Sequence, residues 1–318
     1  MSVKELKLRT GKSQFAFETA VFSRKKNSAR LMGFSLTTLV LALCFSLPLY
    51  NLLRLAISND LYTDIPLIPL ISLYLVWMHR ENLPLSFHTA VRPALPFFSG
   101  GLLALAVYWI TLQSSFWTTE NYLAVNVLAF LLIFTGICFC FFGKAFMSAV
   151  AFPMALLVFT IPFPDFVRHG LETFLQYGSA TCAGIFFQLA GTPVLQDGLN
   201  FRFPNCVIQV APECSGIHST LVLAITSLIG SWLFLRSPWK RTVLVLAVIP
   251  LALIRNGFRI FIIGRLCAAY GPQMLNSPIH RHGGPLFFAL SLVPFFLLLI
   301  FLRKTERINS EPSTKKSL

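Results

Sequence analysis

An all-α polytopic integral membrane helix bundle is the fold class this sequence predicts, and three observations carry it. Hydrophobic residues make up 55% of the 318 residues and charged ones only 12%, about half the charged share of a soluble domain. The mean hydropathy is +0.70. Several apolar runs approach or exceed the roughly 18–20 residues that carry a helix across a bilayer. Together these exclude a disordered chain and argue against a soluble globular one. No long polar stretch remains to build a second, soluble domain.

Eight spans are expected, at roughly 31–50, 62–79, 94–112, 122–143, 145–163, 217–236, 242–263 and 285–302. The first turns of the second are broken by Pro66 and Pro69. The fifth contains Pro153 and ends at the Pro162–Phe163–Pro164 turn. No internal repeat is visible, which counts against a transporter built from inverted halves. The chain thus divides into a basic N-terminal tail (1–30), a transmembrane domain (31–302) and a basic C-terminal tail (303–318).

A net charge of +14 invites a nucleic-acid partner, but the distribution of the charge argues against one. The basic residues sit in short clusters between apolar runs, the pattern the positive-inside rule produces. The first thirty residues hold eight Lys or Arg without an apolar core beside a small-residue cleavage site, so a cytoplasmic tail is expected there, not a removable signal peptide. With eight spans, Arg80, Arg92, Lys144, Arg236, Lys240, Arg241 and the basic C-terminal residues all fall on the cytoplasmic side. Asp60, Asp64, Glu120, Asp165, Glu172, Asp197 and Glu213 fall outside. The expected location is a membrane, with both ends in the cytoplasm and membrane lipid as the immediate surroundings.

One outer loop is much longer than the others, from about 164 to 213. Its first part, Phe166 to Leu189, reads as a helix lying at the interface or dipping into it. Its second part is punctuated by Gly191, Pro193, Asp197–Gly198 and Pro204, with a short alternating run from Asn205 to Val210. That pattern is hairpin-like. An ordered insert leading straight into a span is a place where a site can be built.

The insert ends in Ala211-Pro212-Glu213-Cys214-Ser215-Gly216-Ile217-His218. Cys214 is expected at the outer start of the sixth span, where a helix N-terminus favours the thiolate, the form that attacks carbonyls. Ser215 and Gly216 would let a substrate backbone approach closely. The competing reading is an inert cysteine at a helix start. The other six cysteines show no CxxC pair and no repeated spacing, so neither zinc, another cofactor nor a disulfide framework is signalled.

Span seven contains Arg255, Asn256 and Arg259. An arginine at a helix centre costs roughly 2.5–3.5 kcal/mol on insertion scales, and residues four apart share a helix face. Arg259 is expected near the outer end of its span, at the depth of Cys214; the bland alternative is snorkelling to headgroups. Arg255, deeper, is expected to pair with a carboxylate or backbone carbonyls. The last outer loop places His280 and His282 just before span eight, where a neutral imidazole could take a thiol proton. His218 is a rival base, four residues after Cys214. His79, His88 and His169 have no such company in the sequence.

APECSG before span six, NGFR within span seven and HRHGG before span eight together resemble the exosortase/archaeosortase family. In that family a Cys-Ser-Gly motif, an Asn-x-x-Arg motif and a later His with Gly four residues on recur in this order. Residues 65–80 and 152–164 resemble the family's second-span signature and its Pro-rich fifth span. The resemblance runs from about 60 to 300. It implies a membrane-embedded cysteine transpeptidase that needs no cofactor. Its partners would be exported proteins ending in a short recognition motif (PEP-like in many cases), a transmembrane helix and a basic tail, together with a surface acceptor.

Carried over motif by motif, the resemblance places the nucleophile on Cys214, the arginine on Arg259 and the histidine on His280, which has Gly284 four residues on. Supporting roles fall to Arg255, Asn256, His218, Glu213 and Gly216. Glu213 ahead of the cysteine points to a subgroup whose recognition motif differs from PEP. Two readings of other classes compete: a transporter binding an anion through Arg255 and Arg259, and a non-catalytic assembly protein for envelope polysaccharide export. Neither needs a reactive, outward-facing Cys214.

Overall fold

The computed structural model describes residues 28–84, 89–111, 117–204, 206–271, 273 and 284–310. They fall into two compact units, one ending at Asp165 and one starting at Phe166. Helices dominate both, as the all-α membrane class requires. Six helical segments are individually long and apolar enough to cross a bilayer: Asp60–Met78, Val91–Ile110, Thr119–Ala149, Ile217–Phe234, Pro238–Tyr270 and Gly284–Glu306. Two bent helix pairs raise the number to eight if each counts as one span.

In the first unit, α1 (Ser28–Cys44) and α2 (Ser46–Ser58) are bent by 71° about Phe45. Pro48 explains the break. It has no N–H to give the carbonyl of Cys44, and its ring would collide with that carbonyl in a continuous helix. The 3₁₀ turn Asp60–Tyr62 leads to α3 (Leu67–Met78), followed by α4 (Val91–Ile110) and α5 (Thr119–Ala149). α4 lies tightly along α5: a Cβ on Gly101 would sit 2.7 Å from Cγ1 of Ile133, and one on Gly136 would meet the Phe98 ring at 3.0 Å. Lipid tails are as apolar as side chains, so such close backbone approach holds membrane helices together.

The fifth expected span, 145–163, is not one helix. α5 breaks at Gly143 (φ 80°, ψ 178°) and ends at Ala149. The short α6 (Ala151–Leu156) and its 3₁₀ continuation Leu157–Thr160 cover roughly 15–17 Å, about half the hydrocarbon thickness. Pro162 and Pro164 prevent the helix from continuing. The segment meets the criteria for a span only when paired with α7 (Asp165–Leu189), the 25-residue helix that follows.

The second unit starts with α7. An antiparallel meander follows, of β1 (Leu195–Asp197), β2 (Asn200–Arg202) and β3 (Val207–Gln209), where a hairpin-like pattern was expected. Buried Phe201 alternates with exposed Arg202, and buried Ile208 with exposed Val207 and Gln209, so one face of the sheet enters a core. That core joins Phe187 of α7 and Phe203, Ile208 and Val210 of the insert to Ile260, Ile263 and Cys267. The last three lie on α10 (Val248–Tyr270), which follows α8 (Ile217–Phe234) and α9 (Pro238–Leu246). α11 (Gly284–Ser310) completes the unit. At its other end Lys240 is buried, its Nζ donating to Leu302 O (3.1 Å) and Thr305 Oγ1 (3.0 Å). The Glu306 carboxylate accepts the N–H groups of Arg236 and Ser237 before α9, where a helix start favours an anion.

The loop charges and the broken fifth segment together generate a topology prediction. Arg236, Lys240 and Arg241 lie inside only if α6 and α7 together cross once. Reporter fusions at Thr118, Gly143, Asp197 and Ser237 should read outside, inside, outside and inside. An inside signal at Asp197 would make the α6–α7 pair re-entrant and turn the Cys214 turn towards the cytoplasm.

Candidate active site

The approach to Cys214 is built by local sequence. Val210 ends the meander with its N–H donated to Leu199 O at 2.9 Å. Pro212, with φ preset and no N–H to lose, opens a 3₁₀ turn over Pro212–Cys214. The turn closes through Cys214 N–H to Ala211 O (2.9 Å) and Ser215 N–H to Pro212 O (3.0 Å). Gly216 then takes a left-handed conformation, φ 75° and ψ 20°, and caps α8. Cys214 therefore sits on a turn three residues ahead of the helix. The left-handed glycine between Cys214 and His218 also removes the helical i,i+4 relation that made His218 a rival base.

Gly216 is required for two reasons. Its φ is one that L side chains adopt at a cost of about 1–2 kcal/mol. A Cβ there would also lie 3.2 Å from Arg255 Nη2 and from Cγ and Oδ1 of Asn256.

Asn256, only a supporting candidate in the sequence, is the organising contact. Its side chain is 3% exposed, and its Nδ2 donates to Cys214 O (2.8 Å), Ser215 O (3.0 Å) and Ser179 Oγ (3.1 Å). One amide thus ties the cysteine turn to α10 and α7. α7 adds a second tie through Gln176 Nε2 to Val210 O at 2.9 Å. The two helices approach closely at Gly257, where a Cβ would meet Cys182 Cβ at 2.5 Å and Ser179 O at 3.0 Å. The Asn256–Gly257 pair within a largely apolar helix was the sequence signal for this arrangement.

One turn along α10, Arg259 reaches the same place. Cys214, Asn256 and Arg259 line one small open pocket with Gln209 of β3 and with Ile208, Val210, Ile260 and Ile263. Cys214 and Arg259 are each half-buried and line the same apolar-walled recess. Arg255 is 7% exposed and is not among the pocket's lining residues. Its Nη2 lies 3.5 Å from Gly216 O and Thr220 Oγ1, which fits the expected pairing with a carbonyl. Its Nη1 is buried with no hydrogen-bond partner among the described residues.

His218, on the first turn of α8, is likewise absent from the described lining. Glu213 contributes backbone to the 3₁₀ turn. His280 and His282 lie outside the described residues. Two further residues of the insert and the helix before it have partners of their own. His169 Nδ1 is 3.5 Å from Glu172, which also receives Arg168 Nη1 at 3.1 Å. Cys206 shares the insert with Cys214 but belongs to its core. There, burial and a hydrogen bond with Cys267 push its thiol up to about 12, so it stays protonated at neutral pH and is no rival nucleophile. No group of three or more His, Cys, Asp or Glu able to hold a metal occurs among the described residues.

Gly216→Ala tests the local architecture without touching a reacting group. It should destabilise the protein by about 1–2 kcal/mol, read as a lower midpoint of thermal unfolding in detergent. Gly191→Ala is a matched comparison, also at positive φ but with nothing within 4 Å of its added Cβ, and should cost less.

No curated protein and no solved structure matches the chain. The family model for transmembrane exosortases matches residues 56–297, a stretch that holds the whole insert, Cys214, the Asn256–Arg259 segment and His280. With a match over well more than half of its length, this multi-pass membrane protein belongs to the transmembrane exosortase family.

Proposed function

We propose that the chain is a membrane cysteine transpeptidase that cleaves the C-terminal sorting signals of exported proteins through a thioester on Cys214. The observation that carries this reading is the shared pocket, lined both by half-buried Cys214 on its Asn256-held turn and by Arg259. Membership of the exosortase family supports it, since the family acts on exported proteins with sorting signals.

In the proposed reaction His280 takes the Cys214 proton, and the thiolate adds to the scissile carbonyl carbon. The carbonyl oxygen becomes an oxyanion stabilised by Arg259. When the tetrahedral adduct collapses, the C–N bond breaks and the leaving amine takes the proton back from His280. The exported protein is left as a thioester on Cys214. The nucleophile of a surface acceptor then attacks the thioester, releasing the thiol. The substrate's transmembrane helix would pack laterally against the spans, with its basic tail in the cytoplasm and the chemistry on the outer face of the inner membrane.

Two mutational predictions test this. In cells making a tagged exported protein with a C-terminal apolar helix and basic tail, Cys214→Ala and Cys214→Ser should both leave it at full length, because a serine hydroxyl stays protonated where a thiol ionises. A variant keeping Cys214 as its single cysteine should process it. Normal processing by Cys214→Ala would remove the cysteine mechanism and restore the transporter reading.

The second prediction separates the two arginines and assigns the base. Arg259→Ala should slow processing by about 10²–10³-fold, the usual loss for one oxyanion donor. Arg259→Lys should also be poor, since it keeps the charge but loses the planar fork, whereas Arg255→Lys should be better tolerated. His280→Ala should abolish processing at unchanged protein level. Activity in His280→Ala together with inactivity in His218→Ala would move the base to α8.

A further inference from the structure

The meander has a backbone edge that the fold leaves open beside the pocket. Phe203 N–H donates to Cys206 O (2.8 Å) and Val210 N–H to Leu199 O (2.9 Å). Antiparallel pairs alternate between bonded and non-bonded. The registered pairs Phe201–Ile208, Asn200–Gln209 and Arg202–Val207 therefore direct Ile208 at β2 and turn the backbone of Val207 and Gln209 away from it. β3 is the last strand of the sheet. Among the described residues, no hydrogen bond occupies the N–H of Val207, its C=O, or the N–H of Gln209; the Gln209 C=O accepts from Ala211. Both side chains are exposed.

An open edge of this kind is a template for another extended chain. The position of β3 selects the occupant. Ile208, Gln209 and Val210 line the pocket of Cys214 and Arg259, and the strand runs through Ala211 directly into the cysteine turn. A peptide laid along β3 is led toward the thiol. β1, at the opposite edge, contributes no lining residue. A second copy of this chain would cover the edge but would not account for its leading into the pocket.

We infer that β3 binds the extended segment preceding the substrate's transmembrane helix, by adding it as a fourth antiparallel strand whose carbonyls accept the N–H groups of Val207 and Gln209. The inference rests on the cysteine transpeptidase reading and specifies how that site takes its substrate. The two donors are two residues apart, about 7 Å, and match carbonyls at alternate substrate positions. Recognition at these positions is by main chain and tolerates many side chains. Selectivity then falls to the residues that enter the pocket walled by Ile260, Ile263 and Arg259.

The test uses the full-length chain in its own membrane, with a tagged exported protein that the wild type trims of its C-terminal helix. Val207→Pro and Gln209→Pro each remove an outward N–H without removing a bond to β2, as proline at an edge strand allows. Each should slow trimming about two- to tenfold, the usual effect of one net hydrogen bond. Gln196→Pro, which removes an outward N–H from β1, should leave it unchanged. Independently of enzyme folding, a proline scan of the eight substrate residues before its helix should show a loss at the one position whose N–H would pair with the open Val207 C=O. Trimming that depends on Cys214 but tolerates both enzyme prolines and every scanned position would overturn strand addition and leave the transpeptidase reading intact. Trimming that does not depend on Cys214 would overturn both.

Discussion

The side-chain amide of Asn256 is the contact on which the site's geometry depends. A carbonyl buried in an apolar environment without a donor costs roughly 1–3 kcal/mol, and the cysteine turn presents two of them, on Cys214 and Ser215, to the interior. Both end on Nδ2 of Asn256. The buried Nδ2 is itself satisfied only because the turn delivers those carbonyls and α7 delivers Ser179. Each partner makes the other tolerable, so the thiol is held by a polar network that has to form as a unit.

That network needs backbones to come close, and small residues provide the space. Gly216 brings the turn onto Arg255 and Asn256, and Gly257 brings α10 onto Ser179 and Cys182 of α7. The buried face of α7 reads Glu172, Leu175, Gln176, Ser179, Ala180, Ala183, Gly184, Phe187, a helical stripe that is small and polar at its centre. In a bilayer, where apolar burial offers little gain between helices, this is how packing and hydrogen bonds hold a bundle together. The apolar part of the insert, Phe201, Phe203 and Ile208, closes the same helices from the other direction.

Much of this was legible in the sequence, and the failures have physical causes. Hydropathy located the transmembrane segments because a bilayer demands long apolar helices. It gave 145–163 as one span because it counts apolarity and not continuity: α5 ends at Ala149 and a new short helix starts at Ala151, inside a run that remains apolar throughout. The bend at Phe45 was equally available in Pro48 and was missed for the same reason. At the site, Cys214 and Arg259 stood out because a thiol before a helix and a charge within one are each unusual. Asn256 did not, since a neutral amide in an apolar helix announces a partner without naming it, and its partners lie about 40 and 77 residues away. The pairing of His169 with Glu172 was within reach of a helical i,i+3 reading. The open edge of β3 depends on register, which three-residue strands do not reveal.

The central claim is that Cys214 carries the substrate covalently. It is tested most directly by mass spectrometry of the chain isolated from cells making a tagged exported substrate, after acid quenching. The account predicts an adduct on Cys214 with the mass of the trimmed substrate, joined through its new C-terminus and released by neutral hydroxylamine as a thioester must be. Trimming that proceeds at full rate with Cys214 blocked by a membrane-impermeant maleimide would contradict it.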